Sequence, residues 1–182
     1  MRKTVAFIGH RVVFNKEEVK KRLRSVVEEK IFDGFDHFIM GTHGDFDQIV
    51  LEVCRFERKL FENIEIEVVL TYYRAYAKNA KAIEEPKGEK TVLFDIEGVF
   101  FKKRIAESNR QMIDQSDVLI CYVDKNKKKS GAKQAMNYAI KKGKTTINIF
   151  SNQDDPTFGM TKEERLLFYK SKMNEIKKLA TK

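Results

Sequence analysis

The chain is 182 residues long, 42% hydrophobic, and carries a formal net charge of +9, which suits a single domain with a real core and a surface that attracts anions. No apolar run approaches the length needed to cross a bilayer, and the opening MRKTVAFIGH enters a strand without the apolar stretch of a signal peptide, so a cytoplasmic protein with no membrane partner is expected. Two cysteines without CxxC spacing and only three histidines argue against a metal or dithiol centre; Cys54 and Cys121 read as core thiols, and no metal site is expected.

Thr4 to Ile8 is a short apolar strand that ends at Gly9-His10-Arg11. In an open α/β sheet these residues stand at the carboxyl edge, where ligands bind. Arg11 suits a phosphate and His10 a sugar or base; the plainer alternative is an ordinary loop. Asn15 starts a helix whose core face is Val19, Leu23, Val26 and Val27, running to about Ile31.

Asp36 to Met40 is the second strand and passes straight into Gly41-Thr42-His43-Gly44-Asp45-Phe46-Asp47. The glycines relax the backbone before a helix whose face is Phe46, Ile49, Val50, Val53, Cys54, Leu60 and Phe61. Asp45 and Asp47 are suited to capping that helix, and Asp47 alternatively to a ribose hydroxyl. Ile64 to Thr71 reads as a third strand.

From Tyr72 to Phe100 periodicity fails. The segment holds Tyr72, Tyr73 and Tyr76, a Glu84-Glu85-Pro86 break and a short apolar run at Thr91 to Phe94. Long aperiodic connections in compact domains are often functional lids, with plain mobility as the alternative. Phe101 to Gln115 then reads as a helix with Ile105, Met112 and Ile113 inward.

Val118 to Val123 and Thr145 to Phe150 are apolar or β-branched runs of the kind expected for strands buried on both faces. Between them Ala132, Ala135, Met136, Ala139 and Ile140 form one helical stripe, and Gly143 supplies the stop. A strand, helix, strand unit of this kind implies a parallel α/β sheet. The helix begins at Ser130-Gly131, so its free N–H groups open on the carboxyl edge. Ser130 caps it, Gly131 permits close approach to the backbone, and Lys127, Lys128, Lys129 and Lys133 add positive charge, a combination that suits phosphate. An ordinary capped helix on a basic loop is the competing reading.

Ser151 to Gly159 resembles a linker, and Thr161 to Ala180 forms a last helix with Leu166, Tyr169, Met173, Ile176 and Leu179 along one side. The expected organisation is a single domain, 1–182, with a core over 4–150 and a C-terminal helical extension over 160–181. Its fold class is α/β, a Rossmann-like three-layer sandwich with a mostly parallel sheet of about five strands.

Several motifs together resemble the SLOG superfamily, the Rossmann-like group related to the LOG (lysine-decarboxylase-like) proteins, and within it an uncharacterised bacterial branch near the YpsA-like proteins. They are Gly9-His10-Arg11, Gly41-Thr42-His43-Gly44 with Phe46-Asp47, Val68-Val69-Leu70 with Tyr72, Glu97, Asn109 with Met112, Ser116-Asp117, Tyr122-Val123, Gly131-Ala132, Ala139, Gly143-Lys144 and Ile147-Asn148. The resemblance spans roughly residues 4 to 150 and implies a nucleotide pocket lined by Gly9, His10, Arg11, Gly41, Thr42, Gly44, Asp47, Asn109, Ser130, Gly131 and Ala132. It implies no required cofactor, only a nucleotide-type ligand.

Three departures bear on activity. The branch usually has Gly-Gly-Ala where this chain has Ser130-Gly131-Ala132, and an arginine where it has Ser108. The hydrolytic LOG enzymes have Gly-Gly-x-Gly-Thr-x-x-Glu, which places Ala135 at the catalytic glutamate. Cleaving an N-glycosidic bond needs a positioned carboxylate, and Glu97 and Asp47 are the candidates left. Binding or sensing without robust catalysis is therefore the first expectation, an N-glycosidic hydrolase of nucleoside monophosphates the second, and a DNA-associated protein the third. No zinc-finger, RRM, homeodomain or basic-zipper pattern accompanies the positive charge. A homodimer built partly through the last helix is also expected.

Overall fold

The computed structural model describes residues 2–70, 88–94, 98–157, 159–161, 163–164 and 166–171. In chain order it contains β1 (Thr4–Gly9), α1 (Lys16–Phe32), β2 (His37–Met40), α2 (Asp45–Arg58), β3 (Glu65–Leu70), β4 (Lys90–Leu93), α3 (Phe101–Asp114), β5 (Val118–Tyr122), α4 (Gly131–Lys141) and β6 (Thr145–Asn148). The six strands form one sheet in the order β4-β3-β2-β1-β5-β6, and every neighbouring pair is parallel.

Alternation along each strand divides the core in two. Val5, Phe7, Phe38, Met40, Ile66 and Ile120 join the cluster under α1 and α2. Ala6, Ile8, Ile39, Val69, Leu119 and Cys121 join the one under α3 and α4. A parallel strand covered on both sides has no polar face, which is why these segments read as nearly unbroken apolar runs. The result is a Rossmann-like three-layer sandwich.

The strand order reverses at β1. From there the chain steps outward through β2, β3 and β4, then returns to place β5 on the other side of β1. The connections leaving β1 and β5 consequently diverge towards opposite faces and leave a crevice at the carboxyl edge between them.

Several local expectations change. The sheet has six strands rather than about five, because the apolar run near Thr91 pairs with β3 as the edge strand β4. At the other edge, β6 is only half-buried and ends at Asn148, so it is not covered on both faces as its β-branched composition suggests. Ile140 is 57% exposed, so the buried α4 stripe ends at Ala139. Likewise α2 stops at Arg58, leaving Leu60 outside the helix and exposed. Asn15 makes no side-chain cap to α1 and instead turns the chain with φ 51°.

Part of the apparent linker is anchored. Ser151 and Asp154 form a reciprocal capping pair around a short 3-10 turn, Asn152–Asp154, and the buried Asp154 carboxylate accepts from Arg22 Nη2 of α1 at 2.6 Å. In the last helix Leu166 and Tyr169 are exposed, while Met173, Ile176 and Leu179 lie outside the described residues. The same holds for Tyr72, Tyr73, Tyr76, Glu84 to Pro86 and Glu97. Among the described residues no helix is long and apolar enough to cross a membrane.

Candidate functional site

Two loops are stitched together to make one wall of the crevice. Gly44 lies so close to the preceding loop that a Cβ there would stand 2.4 Å from Arg11 Cα, and a Cβ on Gly9 would meet the Phe46 ring at 2.3 Å. The Asp45 N–H donates to the Arg11 carbonyl at 2.8 Å, and the Asp45 carboxylate accepts the Val13 N–H at 3.1 Å and pairs with Lys16. The glycines of the first two motifs thus serve the contact of backbone with backbone and of backbone with ring.

The other wall is the exit of β5. Asn148 uses both ends of its side-chain amide to hold the Val123 backbone, accepting its N–H at 3.0 Å and donating to its carbonyl at 2.9 Å. Asp124 then donates its N–H to His10 Nε2 at 2.8 Å. Because Nε2 accepts, the imidazole proton is assigned to Nδ1, which lies 3.5 Å from Ser130 Oγ. His10 is buried, and burial together with the positive charge of Lys127 lowers its pKa to about 4, so it is neutral near pH 7. Its polar atoms tie the β5 loop to the cap of α4.

Between these walls lies a cavity of about 410 Å³. Its floor is apolar, formed in part by Ile8, Ile105 and Met112, and Asn109 stands between the last two on α3. Arg11, Lys127 and Lys129 line it as well, and none of them makes a salt bridge among the described residues. The side is closed by the start of α4: Ser130 Oγ accepts the Lys133 N–H at 3.1 Å, while the N–H groups of Gly131 and Ala132 have no partner among the described residues. A Cβ built on Gly131 meets nothing within 4 Å among the described residues. Helix-terminal N–H groups, the helix dipole and three cations thus face one space, an arrangement that favours an anion.

Asp47 is the only carboxylate among the described residues that lines the cavity. It reaches back over the start of α2 to accept the His43 N–H at 2.6 Å. Burial raises its pKa to about 6 against the opposing effect of the His43 and Gly44 N–H groups and of Arg11. Burial and Arg11 hold the neighbouring His43 below its ordinary pKa.

Of the residues singled out in the sequence, Gly9, His10, Arg11, Gly41, Gly44, Asp47, Asn109, Ser130, Gly131 and Ala132 all line this cavity. Thr42 does not, and Glu97 lies outside the described residues. Ala135 is packed in the core under α4, away from the cavity wall. Sequence reasoning passed over Val12, named His43 only as part of the second glycine motif, and assigned the pocket neither Ile105 nor Met112. The last two share a helical stripe with Asn109, at spacings of four and three, which is the signal that joins them. Cys54 and Cys121 are buried and free, and burial raises the pKa of both, that of Cys121 to about 12.

The fold and the position of the crevice define a Rossmann-like α/β protein with its cleft at the β1/β5 reversal. Compared with models of known protein families and with curated proteins, the chain matches none.

Proposed function

We propose that the cleft binds a nucleotide or nucleotide-derived ligand through its phosphate, and that the protein senses or carries this ligand rather than turning it over efficiently. The observation that carries the reading is the amino terminus of α4, whose Gly131 and Ala132 N–H groups open on a cavity that Arg11, Lys127 and Lys129 also line. A phosphate at that point would accept from the helix and from Arg11, while the apolar floor and Asn109 suit a base or sugar. The resemblance to SLOG proteins supports the same assignment. The core position of Ala135 leaves the site without the glutamate of the hydrolytic LOG enzymes.

Mass spectrometry of small molecules released from the native protein on denaturation tests the ligand class. Calorimetry with nucleoside monophosphates then tests the site. Gly131→Val projects into open space, so circular dichroism should show an intact fold while binding is lost; retained affinity refutes the site. Arg11→Ala should weaken a nucleoside monophosphate by roughly 10- to 100-fold and leave the bare nucleoside nearly unaffected. Equal losses would remove Arg11 from the phosphate.

A second reading has one observation in its favour. Asp47 combines a place in the cavity with a pKa of about 6, within the range of a general acid or base. N-glycosidic hydrolysis by Asp47 predicts multiple-turnover release of free base, seen by chromatography and abolished in Asp47→Asn. The proposed function predicts no such release.

A further inference from the structure

The opposite edge of the sheet holds a second constellation. His37 opens β2 and Glu65 opens β3, directly opposite each other in the parallel register. Glu67 lies two residues further on, so it shares a face with Glu65. One ligand atom from each of the three lies within 4.8 Å of the others. His37 Nε2 is 3.4 Å from Glu67 Oε2 and 3.9 Å from Glu65 Oε1.

His37 is only 9% exposed and its Nε2 has no hydrogen-bond partner among the described residues, although it is aimed at the two carboxylates. A buried polar atom left in this way is costly and calls for an explanation. The ring's other nitrogen lies 3.1 Å from Thr4 Oγ1, a contact that fixes its orientation. Glu67 is likewise buried. Two cations now attend the acids, Lys90 Nζ at 3.2 Å from Glu67 and Arg2 Nη2 at 2.8 Å from Glu65. Their side chains are 60% and 43% exposed, so both can turn out into water.

We propose that His37 Nε2, Glu65 and Glu67 bind a divalent transition-metal ion of the zinc type, with Thr4 orienting the imidazole and Lys90 displaced from Glu67 when the ion enters. One imidazole and two carboxylates are a donor set that zinc accepts, with a fourth position left for water. Bonds of about 2.0–2.2 Å place tetrahedral ligands roughly 3.3 Å apart; the His37–Glu67 separation of 3.4 Å already matches this, and Glu65, at 3.9 Å from His37, must move inward. The site lies at the edge opposite the nucleotide cleft, and the two proposals stand or fall separately.

The test uses the full chain stripped with a chelator and titrated with zinc chloride in a non-coordinating buffer, followed by calorimetry and by thermal melting. One saturable equivalent is expected, together with a raised melting temperature. Glu67→Gln and His37→Gln should each weaken binding at least about tenfold. Glu65→Gln is a near-isosteric change at a half-buried residue and should weaken it as well. Lys90→Ala should tighten binding several-fold, because it removes a competing charge; neither a purely structural ion pair nor a zinc site elsewhere would respond in that way. Absence of saturable binding, or affinity unchanged in both Glu65→Gln and Lys90→Ala, overturns the proposal.

Discussion

Glycines at the cleft carry two different physical demands, which separate by substitution. At Gly44 an added methyl would press on the Arg11 backbone, which has nowhere to move, so Gly44→Ala is expected to cost about 1–3 kcal/mol in urea unfolding. Gly131→Ala places its methyl in open space and should leave stability within about 0.5 kcal/mol while narrowing the cleft. The titrating residues of the site also oppose one another. His10 binds its proton near pH 4 in the fold against 6.5 when unfolded, so the unfolded chain holds more protons between those values, and stability from His10 is lost as pH falls through that window. Asp47 keeps a proton up to about pH 6 in the fold but only to 3.8 when unfolded, so its contribution rises as pH falls across that range. Removing the first should therefore expose the second. Urea midpoints of His10→Gln measured from pH 6.5 to 4 are expected to fall less steeply than those of the unsubstituted chain; identical slopes would mean that the histidine is not held neutral.

Among the elements, α4 is where local sequence and site coincide, and Ser130 is its hinge between stability and binding. Ser130→Ala removes the acceptor for the Lys133 N–H, which should cost about 1 kcal/mol and loosen the loop that His10 holds through Asp124. Both β5 and α4 were legible in the chain, because an apolar run, a serine cap and a helical stripe each follow from short-range physics. What escaped were features that depend on neighbours far away in the chain. The short run near Thr91 becomes a strand only because β3 offers it an edge, and Ile140 is exposed although its neighbour Ala139 on the same stripe is buried. Asn15 looks like a cap by composition, yet its backbone turns left-handed to bring α1 against the sheet. At the site, the placing of Gly9 to Arg11, Gly41, Gly44 and Ser130 to Ala132 along one cavity was readable. Val12 was not, since a cavity wall is set by which loops meet, and no motif states that Gly44 will lie on Arg11.

For the whole molecule, the position of Asp154 sets where the chain can be cut. Ending it at Asn152 would remove a buried carboxylate that holds Arg22, so the test of the C-terminal helix belongs after Met160. If that helix joins two copies, light scattering should give a dimer for the full chain and a folded monomer for the shortened one. A monomeric full chain ends the idea. The reversal of strand order at β1 also sets a sequence of events in time. The cleft lies between β1 and β5, and Val5 finds its partner Val118 only after β2, β3 and β4 have been made. During synthesis the first two glycine loops emerge early, but the surface they share with α4 does not yet exist. A ligand cannot template the early chain; it can only hold the finished one. If the proposed nucleotide binds there, stopped-flow refolding with a saturating nucleoside monophosphate is expected to leave the folding rate unchanged and to slow unfolding, so that all of its stabilisation appears as a longer lifetime of the native state.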